Sequence, residues 1–144
     1  LTNIKGTSGH PFEFCGKSNN MNTIIWVLQI LIAGAFMYSG INKSIYSEQK
    51  LITIGQTGVE GLSPSLIHFI GIIEILGAAG LTLPSLIRVL PMITPISAVG
   101  FAIIMILACR IHYKRKEYKN ALNNILLLII CFFVAWYRFN SLAP

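Results

Sequence analysis

Aspartate is absent from this chain and glutamate occurs only five times. Charged residues make up 11% of the 144 positions, too few for the surface of a soluble globule of this length. Cysteine is also sparse. Cys15, Cys109 and Cys131 form no CxxC pair and show no Cys/His spacing of the zinc type, so neither a dithiol redox centre nor a metal site is indicated. Cys109 and Cys131 read as helix-packing residues. There is no glycine-rich phosphate loop, internal repeat or heptad pattern. The first twenty residues hold no apolar run of the length a signal peptide needs.

What is abundant is apolar: 54% of residues are hydrophobic and the mean hydropathy is +0.69, a membrane composition sized for one domain. The net charge of +6 could suggest a nucleic-acid partner, but the bases sit at the ends of apolar segments and no nucleic-acid module is present. Membrane topology accounts for them more simply.

Four spans are expected. Residues 1–20 form a polar, disordered leader or a mis-annotated start, with Met21 directly before the first apolar run, and residues 21–144 form the domain. Residues 23–41 carry no charge and approach the roughly 20 residues a helix needs to cross a bilayer; Gln29 inside them must hydrogen-bond within a bundle or sit near headgroups. Residues 47–54 suggest a short interfacial helix before a glycine-punctuated turn. Ser63 before Pro64 marks a helix start, giving a second span over 64–83 that Pro84 and Ser85 close. The third span covers 89–109 with a bend at Pro91 and Pro95, and the fourth covers 121–137. The fold expected is all-α, a transmembrane four-helix bundle of up-down-up-down order. Loops 44–63 and 110–120 then share a side holding seven of the eleven bases, which places them in the cytoplasm and both termini outside.

The sharpest chemical feature is Glu74, a lone acid in the stretch 69–84, FIGIIEILGAAGLTLP. A carboxylate at bilayer depth costs roughly 2.5–3.5 kcal/mol on insertion scales, so it must face protein or water, find a partner, or bind a proton. At about 100° per residue Ile67, Gly71, Glu74 and Ala78 share one narrow arc, with Gly77 beside it. That face lets another helix approach and shields the acid from lipid, so Glu74 is a candidate proton-exchanging or ligand-binding group, or an interhelical hydrogen-bond partner. His68 lies off its azimuth and reads as a wet interfacial histidine. Lys43, closing the first span, either turns inward as a partner for Glu74 or snorkels outward, and snorkelling is the ordinary behaviour of such a lysine. The run HYKRKEYKN is mainly a topology signal that also suits anionic headgroups.

FMYSGINK closing the first span, IGIIEILGAAGLTLP in the second, IMILACRIHYKRKEYKN leaving the third and the Asn-led fourth span together resemble the DoxX-like family of small four-helix membrane proteins. The likeness covers residues 24 to about 139. Carried over position by position, it points to Gly40, Lys43, Gly71, Glu74, Gly77, Gly80, Pro84, His112, Glu117 and Asn124. Of these, Glu74, Lys43 and His112 are the candidates for ligand binding or proton exchange. Gly40, Gly71, Gly77, Gly80, Pro84 and Asn124 are the helix-packing set. The resemblance implies a bacterial inner-membrane location and relatives linked to quinone-coupled sulfur oxidation, redox homeostasis or assembly of other membrane proteins. The reading it favours is an accessory to a redox or quinone-linked membrane process, with Glu74 in a polar pocket and quinone as the candidate cofactor. The alternative is a non-catalytic assembly partner or chaperone for another membrane protein. Besides the lipid bilayer, quinone or a second membrane protein are the partners considered; self-association is left open.

Overall fold

The helix boundaries follow from where backbone polar groups can be satisfied. A computed structural model describes residues 13–142, with side chains from residue 20 onward. Its elements are α1 (Glu13–Ile45), α2 (Glu48–Thr53), a single 3-10 turn (Thr57–Val59), α3 (Pro64–Ile87), α4 (Ile93–Lys114) and α5 (Tyr118–Asn140). Residues 1–12 of the expected leader lie outside the described residues. Four helices are long and apolar enough to cross a membrane: Asn20–Ile45, Pro64–Ile87, Ile93–Lys114 and Tyr118–Asn140. At 22 to 26 residues each they span about 33–39 Å, enough for a hydrocarbon core of about 30 Å.

α3 begins as expected. Ser63 Oγ accepts from the Leu66 N–H at 3.4 Å, and Pro64 occupies the first helical position, where its missing N–H costs nothing. Its end differs from expectation: Pro84 lies buried inside the helix, which runs on to Ile87 and stops at Arg88 in the left-handed region (φ 56°). Proline removes one hydrogen bond, whereas ending the helix in hydrocarbon would expose several carbonyls with no water to receive them, so continuing is the cheaper course. The third helix starts later than the expected span, at Ile93. Pro91 falls in the connection before α4, and Pro95 falls in the first turn of α4, where N–H groups have no intrahelical acceptor in any case. Thr94 is instead paired with Ser85 (Oγ1 to Oγ, 2.8 Å), tying the end of α3 to the start of α4. The basic stretch 110–120 is mostly helical rather than a loop. α4 extends to Lys114, and after three intervening residues α5 starts at Tyr118, with Lys116 at φ 61° making the turn.

α1 packs chiefly on α3 and α4 on α5; the two pairs are joined through α3 and α4, with a smaller contact between α1 and α5. The core between them includes Ile32, Phe36, Leu81, Phe101, Met105 and Val134, with the Phe36 and Phe101 rings stacked at 3.7 Å. Outward faces remain apolar, as at Leu31, Leu76, Ile106 and Phe132, the pattern a lipid-facing surface needs. The short α2 and the 3-10 turn lay Leu51 and Val59 against Ile67 on α3. This connection covers one end of the bundle.

Candidate functional site

Glycine makes the site. A Cβ on Gly40 would sit 2.6 Å from the Gly71 carbonyl oxygen, and one on Gly71 would sit 2.8 Å from that of Gly40, so α1 and α3 touch backbone to backbone there. This contact brings the next turns together. Lys43 Nζ donates to Glu74 Oε1 at 2.5 Å, with side-chain exposures of 13% and 2%. Lys43 therefore turns inward rather than snorkelling. Glu74 lies on the buried arc of α3 with Ile67, Gly71 and Ala78, and its second oxygen, Oε2, is buried without a hydrogen-bond partner.

Beside this pair lies a cavity of about 580 Å³, within the usual range for small-molecule sites. Its walls come from α1 (Phe36, Ser39), α3 (Phe69, Ile73), α4 (Met105, Leu107) and α5 (Asn124, Leu127). Residues 55–62 form its roof through Gly55, Gln56, Gly58, Val59 and Leu62. Polar groups gather at the roofed end: Lys43, Glu74, Gln56, His112, Asn120 and Asn124. Among the described residues five buried side-chain polar atoms lack a hydrogen-bond partner, and three of them, Glu74 Oε2, Gln56 Oε1 and Asn124 Nδ2, belong to this lining. An unsatisfied buried polar atom costs about 1–3 kcal/mol. Two acceptors and one donor thus stand unpaired on residues that line one cavity, where a hydrogen-bonding ligand would satisfy them.

The roof is held down from α4 and α5. Glu117 Oε2 accepts from Thr57 Oγ1 at 2.6 Å, from Asn120 Nδ2 at 3.0 Å and from His112 Nδ1 at 2.6 Å. The Thr57 and Asn120 hydrogen bonds, then that of His112, hold the Glu117 carboxyl down at about 2, from an ordinary 4.5. Arg115 donates to the Thr57 carbonyl at 2.6 Å and the Glu60 carbonyl at 2.7 Å, and pairs with the Glu60 carboxylate at 2.5 Å. His112 thus stands on the cavity wall, paired with Glu117 and not with Glu74, and its Nε2 faces Gly58. His68 is exposed, with Nδ1 donating to the Pro64 carbonyl.

Of the sequence candidates, Glu74, Lys43, His112 and Asn124 line one cavity. Gly77 and Gly80 lie elsewhere, against the Phe101 ring and Ser97 of α4, and Pro84 is further along α3. The reading from residues alone did not identify the latch formed by Thr57, Glu60 and Arg115. Opposite charges in two loops assigned to the same side, Glu60 and Arg115, were the available signal. Gln29 hydrogen-bonds within the bundle, one of its two expected placements, in a second polar cluster away from the cavity: it donates to the Leu81 carbonyl and accepts from Arg138 Nε at 3.0 Å, partners no local pattern named, with the Arg138 guanidinium 5.0 Å from the Trp26 ring centre. Among the described residues no group of three His, Cys, Asp or Glu side chains could hold a metal ion.

A family model described as the DoxX-like family matches residues 27–134, a span that contains every residue lining the cavity. Comparison with curated proteins and with solved structures gave no match.

Proposed function

The chain belongs to the DoxX-like family, and on that premise we propose that this small integral membrane protein binds a lipid-soluble ligand of the quinone class, as an accessory to a redox or quinone-linked membrane process. The observation that carries the reading is the trio of buried, unpaired polar atoms on residues that line an apolar cavity. A quinone carbonyl accepts from Asn124 Nδ2 or the Lys43 ammonium, and a quinol hydroxyl donates to Glu74 Oε2 or Gln56 Oε1. The ligand supplies the redox chemistry. The protein supplies orientation, a dry surrounding, and in Glu74 a carboxylate that takes or returns a proton at the ligand oxygen, with Lys43 balancing its charge.

The same reading includes an up-down-up-down order and a bacterial inner-membrane location. In it the 44–63 and 110–120 segments face the cytoplasm, supported by the seven bases those segments and Lys43 contribute. A packing role for Glu74, as expected of an assembly partner, has support of its own in the Gly40–Gly71 contact beside it.

Solvent extraction of the purified protein, followed by mass spectrometry for quinones, separates the two. Bound quinone is expected at a substantial fraction of one per chain, falling at least tenfold in Glu74→Gln and in Asn124→Leu while both variants keep wild-type helical content. Quinone absent from the wild type, together with no thermal shift on adding a short-chain benzoquinone, would refute the reading. Loss of the folded bundle alone in Glu74→Gln, with quinone retained in Asn124→Leu, would favour packing.

A further inference from the structure

Lipid-facing residues of two helices also line the cavity. Leu66, Phe69 and Ile73 of α3 and Leu107 of α4 are 42%, 59%, 40% and 57% exposed, and all four line the cavity wall. No other lining residue is a large apolar side chain of comparable exposure. The reason lies in how α3 and α4 pack. Near the turn that connects them they are locked together, with Phe101 against Gly77, and Ser97 and Ile93 against Gly80. In the half away from that turn, Phe69 and Ile73 of α3 and Ile104, Leu107 and Ile111 of α4 line the cavity instead. The polar end, by contrast, is shut on its outer side by the roof, which Arg115 and Glu117 fasten at Thr57 and Glu60.

From this arrangement we infer that the ligand reaches the cavity sideways, from within the bilayer through the gap between α3 and α4, and that it is an amphiphile whose apolar tail stays in that gap while its head meets Glu74, Gln56 and Asn124. The inference rests on the ligand-binding reading above and adds a route and a chemical class. A polar solute would have to cross apolar walls at Phe69, Ile73 and Leu107, or break the roof latch. A tailed molecule already dissolved in lipid meets neither obstacle, and its tail covers side chains that the cavity leaves open. Isoprenoid and straight acyl tails share this chemistry, and competition separates them.

The test uses the full chain in lipid nanodiscs with two probes, tail-free 2,3-dimethoxy-5-methyl-1,4-benzoquinone and its n-decyl homologue, with concentrations corrected for partition into lipid. The decyl probe is expected to bind at least tenfold more tightly. A decyl probe carrying a terminal diazirine should label peptides containing residues 66–73 and 104–111. Leu107→Trp should slow association of the decyl probe at least fivefold, whereas Arg115→Ala, which frees the roof, should leave that rate within twofold. Displacement by an isoprenoid quinone but not by a fatty acid of equal length assigns the tail type, and displacement by both assigns any long apolar tail. Labelling confined to residues 55–62 or to α1 and α5, or a fivefold faster association in Arg115→Ala, overturns the lateral route while the ligand site stands. If neither probe binds the wild type, site and route fall together.

Discussion

Breaking the Lys43–Glu74 pair from its two sides should cost different amounts, and restoring neutrality should return most of what is lost. Glu74 is 2% exposed and Lys43 13%, joined at 2.5 Å. Lys43→Met strips the carboxylate of its ammonium and leaves both oxygens unpaired, since Oε2 already lacks a partner. Removing one member of a buried pair costs about 3–5 kcal/mol. Glu74→Met leaves the ammonium, but its long stem starts two residues from the end of α1 and can swing outward to the interface, so about 1–2 kcal/mol is expected. The double variant, with two apolar side chains of similar length, should lie within about 1 kcal/mol of wild type. The single costs therefore add to far more than the double, a coupling of about 3–6 kcal/mol. Unfolding in mixed dodecyl sulfate and mild-detergent micelles, followed by circular dichroism, measures all four corners of the cycle. Additive costs, or a coupling below about 0.5 kcal/mol, would show that the pair is solvated and that the case for a sheltered carboxylate is mistaken.

Two further outcomes follow from separate features. Gly40→Ala and Gly71→Ala each force a methyl group against a backbone carbonyl and should cost about 1–3 kcal/mol in the same assay, whereas Gly34→Ala, with nothing within 4 Å of its added Cβ, should be neutral or gain up to about 1 kcal/mol. Equal effects at all three positions would contradict the close crossing of α1 and α3. The Glu117 carboxyl, held at about 2 against an ordinary 4.5, contributes stability that is complete above about pH 4.5 and lost as pH falls towards 2. Melting curves from pH 6 to 2.5 should show the wild type losing stability relative to Glu117→Gln across that window. Parallel curves would mean that the hydrogen bonds from Thr57, Asn120 and His112 do not hold the charged form.

The parts legible in the chain were those set by local pattern. The arc of Ile67, Gly71, Glu74 and Ala78 is a consequence of 100° per residue and emerges buried as a unit, and the Ser63–Pro64 start is a local capping rule. Proline was misread where the solvent changes the rule. Pro84 breaks helices in water, but in hydrocarbon the alternative to a strained helix is a row of unsatisfied carbonyls, and Pro95 is harmless because of its place in a first turn. The choice of Lys43 between headgroups and Glu74 depended on how closely α1 and α3 approach, which the glycines permit but do not dictate. The roof latch joins residues 55 to 60 positions apart, such as Arg115 with Glu60 and Glu117 with Thr57, so no local pattern could pair them. The cavity is enclosed by four helices and the 55–62 segment together, a property of packing with no single-residue signature.

The order of the ion pair along the chain bears on biogenesis. Synthesis delivers α1 to the membrane first, with Lys43 near its end, and α3 follows with an acid ten residues beyond its start. An isolated α3 would carry the insertion penalty of its carboxylate alone, about 2.5–3.5 kcal/mol. With α1 already in place, the cation and a glycine-lined docking face are waiting when Glu74 arrives. The first helix thus acts as an internal receptor for the second span, and a chain truncated after residue 87 and released from the ribosome into the membrane should already hold the two helices side by side.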